Sequence, residues 1–556
     1  MTRTKRELLA SPRLDSRIHS SNVTNSERWI GFFLGPSGVI ILNAILASYL
    51  NVFYTDVLKV GGLWGGMFLM VFPIVSKIID AITNIIMGQI IEKTRSRQGK
   101  ARPWLLFAGP VVAISAILLF LVPKASSAVQ CAWIMLSFNL YYSIGYTMYN
   151  MSHSIMVPLS TRNVKQRDTL AMVNSMAHNI VPGMFVALLF PALVLPMIGV
   201  DQSKWIRMIS IFAIIALPCV MLEYFFTKER ITEEVKNTEH SEKFSLGQQL
   251  KACLSSKYWI IIMVAMTIVQ LCSDIRNTSL VYYCNWVLGT YNDGRTQTLV
   301  SAIGNAPLGF GILIMWPLVK KYGKRKIMLI GLVMAVCASF SFMINPTSMG
   351  WVLMTLSLYA FGILPITYIS KAMMADALDH VEWQSGFRAD GFSMSIYTII
   401  VTVAAGLAQG LFNLGLSVTG YVPPAADGTW VEQSQAVKNL FVWGYQGVFA
   451  VGMIILFILF WFFRIEKEMP TIRADMVARQ KAKAAEQGIE WVSPEEIAAR
   501  EQEENDRIAE ENRVKELREK CEKKGLNFEE EETKYQAKLA EKKAKKEAKA
   551  AKKAKK

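Results

Sequence analysis

Apolar runs long enough to cross roughly 30 Å of hydrocarbon recur about twelve times along this chain. They lie near residues 30–53, 63–91, 104–123, 130–157, 170–196, 205–226, 258–288, 297–319, 325–344, 350–375, 391–417 and 440–463. The pattern predicts an all-α membrane protein of twelve transmembrane helices. No soluble domain holds so many apolar runs. The turns between runs differ in charge. Run two is followed by Lys93, Arg95, Arg97, Lys100 and Arg102, run four by Arg162, Lys165 and Arg167, and run eight by KKYGKRK at 320–326. Alternate turns are poor in charge, and 345–350 carries none. Basic turns stay on the cytoplasmic side of a plasma membrane, so both termini are expected in the cytoplasm, as an even span count requires.

Gly99-Lys100-Ala101-Arg102 and Gly323-Lys324-Arg325-Lys326 occupy matching places, each between the second and third runs of a half. The chain therefore divides into an N-terminal segment (1–27), a six-helix bundle (28–226), a charged linker (227–257), a second six-helix bundle (258–465) and a charged tail (466–556). Two pseudo-symmetric parallel repeats of this kind hold a solute site near the midplane between them.

Polar residues inside the runs point to that site. In run four, Asn139, Ser143, Thr147, Asn150 and Ser154 recur at steps of four, four, three and four, which places them on one helix face. Tyr142, Tyr146 and Tyr149 lie beside this stripe. Polar side chains gain nothing from lipid, so the face is expected to line a cavity; bonding between helices is the plainer alternative. Run eleven repeats the theme with Ser395, Tyr397, Thr398 and Thr402, and run one offers Asn43. Asn174 and His178 in run five are four apart, and a lone histidine there is expected to be structural. In run seven, Asp274 and Arg276 are two residues apart, point to opposite sides of a helix and so cannot pair with each other. The expected solute-binding set is Asn150, Ser154, Tyr146, Tyr149, Asn43, Asp274, Arg276, Tyr397, Thr398 and Thr402. Hydroxyls, amides and aromatic rings suit a polyhydroxylated small molecule.

A carboxylate in an apolar run is costly and is by default a functional-site hypothesis. Asp80, in run two, is such a group. Its plainer reading is a pair with Lys77 one turn away.

Net charge is +16, with 52% of residues hydrophobic and 19% charged. The basic residues mostly flank runs, so they report topology and no nucleic-acid partner is expected. Seven scattered cysteines include no CxxC spacing, which suggests neither disulfides nor a metal site. The N-terminus lacks the apolar core of a signal peptide. No Walker loop, catalytic triad or ligand cluster occurs, so no cofactor and no enzyme activity is expected. Energy then comes from an ion gradient, or the flow is downhill.

In the tail, Ser493-Pro494-Glu495-Glu496 fits a capping box opening a helix towards Gly525. Its apolar positions are too sparse for a stripe, so it is expected to be solvated. From 541 onward nine lysines face two glutamates, a run suited to anionic lipid or to a disordered tail.

One stretch carries a resemblance. Asp80-Ala81-Ile82-Thr83-Asn84-Ile85-Ile86-Met87-Gly88, then Thr94-Arg95-Ser96-Arg97-Gln98-Gly99-Lys100 and Arg102-Pro103-Trp104, resembles the glycoside–pentoside–hexuronide:cation symporter family, melibiose permease-like members of the major facilitator superfamily. Ala375-Asp376-Ala377-Leu378-Asp379-His380-Val381-Glu382-Trp383, Gly386-Phe387-Arg388 and Tyr54-Thr55-Asp56 match it too, and the likeness runs from 28 to about 465. The resemblance implies a secondary transporter moving a sugar, glycoside or uronide with Na⁺ or H⁺ as coupling ion. By position it puts the cation site on Asp80, Thr83, Asn84 and Thr147. The family's second cation aspartate falls on Asn84 and its span-four sugar aspartate on Asn150. Its span-one sugar aspartate falls on Ile40 and its span-eleven lysine on Thr402. One carboxylate with neutral oxygens suits either ion.

Alternating access is then expected to use a cytoplasmic gate. Arg95, Arg97, Lys100 and Arg102 would meet Asp376, Asp379, Glu382 and Asp390 when the carrier opens outward, with Arg388 beside the acidic set. A monomer in contact with membrane lipid is expected. Rival readings are a lipid or lysolipid carrier of the same fold and a non-transporting sensor that signals through its tail.

Overall fold

The computed structural model describes residues 14–231, 245–289, 294–425, 429, 431–486, 488, 491–537, 540, 541 and 544. Ten helices among them are long and apolar enough to cross a membrane: Glu27–Val57, Val60–Lys93, Arg102–Phe120, Val164–Ile198, Gln202–Phe225, Lys257–Leu288, Lys324–Ile344, Met349–Ser385, Asp390–Thr419 and Gln435–Phe462. Two more complete the twelve. Helix 4 runs over 127–160, with a π-helical stretch at Leu140–Tyr146, and helix 8 is Arg295–Tyr322. Numbered in this order, helices 1–6 and 7–12 form two halves. The protein is a multi-pass membrane protein.

The two halves repeat at their basic turns. Gly99 and Gly323 both take a left-handed φ, 109° and 84°, which glycine adopts at little cost. Each turn is then capped by a glutamate that follows the last helix of its half. Glu229 accepts the backbone N–H groups of Lys100, Ala101 and Arg102 at 2.8, 2.8 and 2.7 Å. Glu466 accepts those of Lys324 and Arg325 at 2.5 and 3.2 Å. The guanidinium that follows reaches the end of the same last helix, Arg102 to the Tyr224 carbonyl and Arg325 to those of Phe460 and Trp461. A carboxylate at a helix N-terminus satisfies orphan N–H groups and meets the helix dipole. Glu229→Ala strands three donors, two of them buried, and is expected to cost about 1.5–3 kcal/mol, read as a lower Tm of the purified protein.

One apolar cluster joins helices 1–6 to the ends of helices 7, 11 and 12, through Tyr282, Phe412, Phe441 and Tyr445. A second lies in helices 7–12 together with Ala252 and Cys253 of the linker and Ile465, Met469 and Ile472 of the tail. Among the described residues, apolar packing thus joins the two halves at the end away from the basic turns.

The tail rests on both halves, and the helix opened by Ser493 is exposed over most of its length, as its sparse apolar positions suggested. Its first helix, Ile465–Glu486, lies on the second half: Tyr258 donates to Glu468 at 2.5 Å and Trp383 Nε1 to Asp475 at 3.1 Å. Its second helix, Pro494–Lys524, is capped by Ser493 and docks on the first half by polar contacts. Ser20 donates to Glu516 at 2.9 Å, Asn163 to Asp506 at 2.8 Å, and Lys165 pairs with Asp506. An apolar stripe is therefore not what holds it. Lys165 and then Asn163 hold the Asp506 carboxyl below its usual range. A lowered carboxylate stabilises docking above its ordinary pKa of about 4 and loses that effect as pH falls through the lowered value. Asp506→Ala is expected to raise deuterium uptake across 494–524 at neutral pH. Apart from 541 and 544, the lysine run lies outside the described residues.

Candidate functional site

Helix 2 presents Val75, Ile78, Ile79, Ile82, Ile85 and Ile86 outward and turns Ser76, Asp80 and Met87 inward. Its first half is sealed against helix 11. A Cβ on Gly406 would lie 2.9 Å from Lys77 Cβ, and one on Gly410 2.5 Å from the Met70 carbonyl. Only glycine permits this approach across the two halves. Counting back from Gly406 along helix 11 in steps of about four gives Thr402, Thr398 and Ser395 on that same face. Glycines thus seal the face at one end and hydroxyls continue it towards the basic turns, where Thr398 and Ser395 are exposed.

Asp80 sits one turn past Lys77, where this seal ends, and its side chain is 11% exposed. Its carboxylate accepts from Lys77 Nζ at 3.2 Å and from Thr147 Oγ1 at 3.1 Å. Lys77 also lies 4.5 Å over the Tyr142 ring. The plainer reading of Asp80, a pair with Lys77, is therefore present, and Thr147 of helix 4 is added to it. Thr83 donates to the backbone carbonyl of Asp80 at 3.0 Å and not to its carboxylate. Asn84 is half-buried on the next turn and makes none of the bonds that hold the Asp80 carboxylate. On helix 7, Asp274 accepts from Gln270 at 2.8 Å and lies within electrostatic reach of Lys77 across the halves.

The polar stripe of helix 4 divides. Asn139 donates to Ser76 at 3.1 Å and Ser143 to Asn139 at 3.3 Å, so these bind helix 4 to helix 2. Beyond Thr147, Asn150 is half-buried and Ser154 exposed, the hydroxyl donating to the Asn150 carbonyl at 2.6 Å. Tyr146 is half-buried beside them. Asn43 is half-buried, with Oδ1 lacking a donor. Thr398 and Thr402 donate to their own helix at Met394 and Thr398, which leaves hydroxyl oxygens free to accept. Tyr397 packs on the apolar core of the second half.

Two expected solute residues point away. Tyr149 is buried and donates to Glu223 of helix 6 at 2.7 Å, inside the first half. Thr147 and Tyr149, two residues apart, face opposite sides of helix 4, so the tyrosine cannot share the stripe's face. Arg276 lies between the rings of Tyr359 and Tyr445, 4.7 Å from each, and donates to Tyr445 at 3.2 Å. It is absorbed by cation–π contacts inside the second half.

At the far end the halves meet through hydrogen bonds. Tyr282 takes Asn51 at 3.0 Å and Thr55 at 2.8 Å, Tyr421 donates to Asp56 at 2.9 Å, and Gln297 donates to Tyr49 at 2.8 Å. At the basic end the gate residues pair within their halves. Arg97 meets Asp15 at 2.9 Å, Arg102 the Tyr224 carbonyl, and Lys100 gives its backbone N–H to Glu229. Arg388 binds Asp379, Glu382 and Asp390 at 2.7, 3.2 and 2.6 Å, and against the opposing effect of burial Asp390 and Asp379 raise its guanidinium pKa. The conformation is closed at one end and parted at the basic end.

The match to known families decides what this architecture is. Residues 31–467 fit the model of the MFS/sugar transport protein family. The chain belongs to that family. It is a transporter and not an enzyme. An isoprimeverose transporter of Lactiplantibacillus pentosus is 26% identical over 473 residues, 83% of this chain and 93% of the relative. A putative sulfoquinovose importer of Salmonella typhimurium LT2 is 27% identical over 402 residues, 71% of this chain and 81% of the relative. A crystal structure of the peptide transporter POT superposes with a TM-score of 0.50 at 12% identity, covering 80% of this chain and 94% of that one, a likeness of fold.

Proposed function

We propose that this transporter is a symporter that couples Na⁺ or H⁺ to uptake of a sugar or glycoside by alternating access, with Asp80 as the cation ligand. The single observation that carries the reading is the position of Asp80: a carboxylate at the level where the sealed halves part, held by one displaceable lysine and one hydroxyl. A carboxylate in a membrane span is retained at a cost. With no cation bound, Lys77 neutralises it. An arriving cation competes for the carboxylate and takes the Thr147 oxygen as a neutral ligand. Lys77 is then released, and Asp274 is the negative group it can reach from the opposite half. A Lys77–Asp274 pair draws the parted halves together, which ties cation loading to closure.

The solute lies between Asn150, Ser154 and Tyr146 of helix 4 and Thr398 and Thr402 of helix 11. These groups offer donors, acceptors and one ring, as a polyhydroxylated ring compound requires. The relatives named for isoprimeverose and sulfoquinovose support a sugar. The basic turns support a plasma-membrane orientation with both termini in the cytoplasm, so the present state opens to the cytoplasm. Both halves of the site come from one chain, which supports a functional monomer.

A thermal-shift screen of the purified protein tests the solute class. Isoprimeverose, sulfoquinovose and simple glycosides, pentosides and uronides are added with and without Na⁺ at two pH values. A sugar at a hundred times its Kd stabilises by about 2.7 kcal/mol. At least one sugar is expected to raise Tm, and Asn150→Ala to weaken its binding about tenfold, or ~1.4 kcal/mol. A screen in which no sugar moves Tm would sink the solute reading.

A further inference from the structure

Glu223 is fully buried in helix 6, and its ion-pair partner is a histidine, not a lysine or arginine. Its Oε1 lies 2.6 Å from His153 Nδ1, and its Oε2 accepts from Tyr149 at 2.7 Å. His153 is 2% exposed and stacks on Tyr149. Its other nitrogen, Nε2, lies 3.2 Å from Nε2 of His178 on helix 5. His178 is exposed, in the polar stretch Asn174, Ser175, His178 and Asn179, a composition that suits water better than lipid. The sequence suggested a lone structural histidine here, and the structure sets it against a second imidazole. Asn174 lies against the His153 ring.

We propose that His178, His153 and Glu223 form a proton relay, a second cation site separate from Asp80. It carries a proton from the water-exposed imidazole inward and stores it on the buried carboxylate. One tautomer satisfies the chain at the outset. His153 Nδ1–H donates to Glu223, and His153 Nε2 accepts from His178 Nε2–H. A proton from water then bonds to His178 Nδ1. The hydrogen on His178 Nε2 passes to His153 Nε2, and that on His153 Nδ1 passes to Glu223 Oε1. One N–H bond forms and one breaks on each ring, an O–H bond forms on Glu223, and both imidazoles end neutral. The net gain is one proton.

One feature favours this over a fixed ion pair. Among the described residues the buried carboxylate has no other charged partner, so moving the hydrogen across the 2.6 Å between His153 Nδ1 and Glu223 Oε1 leaves no charge buried in this site. The titratable neighbours are few. Tyr146 of helix 4 and Cys219 of helix 6 adjoin Tyr149, while helix 1 presents Gly35 to Glu223. Asp80 borders this set through Tyr146.

Infrared difference spectroscopy of the purified full-length protein after a stopped-flow drop in pH, from about 8 to about 5, reads the store directly. The wild type is expected to gain the carbonyl stretch of a buried neutral carboxyl, and Glu223→Gln to lack it. His178→Phe, at an exposed position, is expected to keep its final amplitude and slow its rise at least tenfold. A band that persists in Glu223→Gln belongs to another carboxyl and overturns the store. A wild-type rise rate in His178→Phe overturns the relay. The readout needs neither solute nor gradient, so its failure is distinct from failure of the transport reading.

Discussion

Asp80→Asn is expected to abolish uphill accumulation while leaving exchange of solute across the membrane. The expectation follows from what the charge does. One cation crossing a potential of about 100 mV carries about 2.3 kcal/mol. At about 1.4 kcal/mol per tenfold, that sustains a solute ratio of about fifty. The asparagine keeps the size of the side chain and its bond to Thr147 but has no charge to hold a cation against Lys77. The accumulation ratio should fall to about one. Counterflow should continue, because the halves can still rock with Lys77 unpaired or turned to Asp274. Vesicles preloaded with unlabelled isoprimeverose and given labelled isoprimeverose outside separate the two quantities. Unchanged accumulation in the variant would remove Asp80 from coupling altogether. A companion variant, Lys77→Met, should bind the cation more tightly and close less readily, since the competitor and the bridge are the same side chain.

The spans were legible because hydrocarbon thickness sets their length and almost nothing else does. Helix 4 shows the limit. Its stripe from Asn139 to Ser154 is continuous in sequence, yet the structure uses Asn139 and Ser143 as bonds to helix 2 and leaves only Asn150 and Ser154 open. Periodicity says which residues share a face. It does not say where along that face the neighbouring helix departs. Glu223 was missed for a related reason. Two residues before the end of helix 6, a glutamate reads as one of the charges that flank a span. Only the fold turns it inward, to Tyr149 and His153. The signal was present as a second period on helix 4, Tyr142, Tyr146, Tyr149 and His153 at steps of four, three and four. The tail helix shows a further limit. It lacks an apolar stripe, but docking through Ser20, Asn163 and Lys165 does not need one.

Gly294→Val should stop transport by preventing closure at the end away from the basic turns. Gly294 stands just before helix 8 with φ of 56°, and a Cβ built there would lie 1.7 Å from the Pro191 carbonyl of helix 5. Thr298, one turn on, donates to the Leu188 carbonyl at 3.0 Å, so this is a contact between halves. No side chain fits while that contact exists. The clash vanishes once the halves separate there, so the cost falls on one state of the cycle. The left-handed backbone adds about 1–2 kcal/mol for valine in either state. A penalty of about 3 kcal/mol on the closed state alone lowers its population about a hundredfold, and exchange should slow by a similar factor. Thr55→Cys, made together with it, reports the position of the seal: its labelling by a membrane-impermeant maleimide from that side should rise as transport falls. Gly294→Asn separates the two costs, because asparagine tolerates positive φ but still carries a Cβ. Equal loss in both variants identifies the wedge, and recovery in the asparagine variant identifies backbone strain. Full transport with valine would mean that the halves do not meet at Gly294 during the cycle, and the end sealed by Tyr282 and Tyr421 would not be a gate.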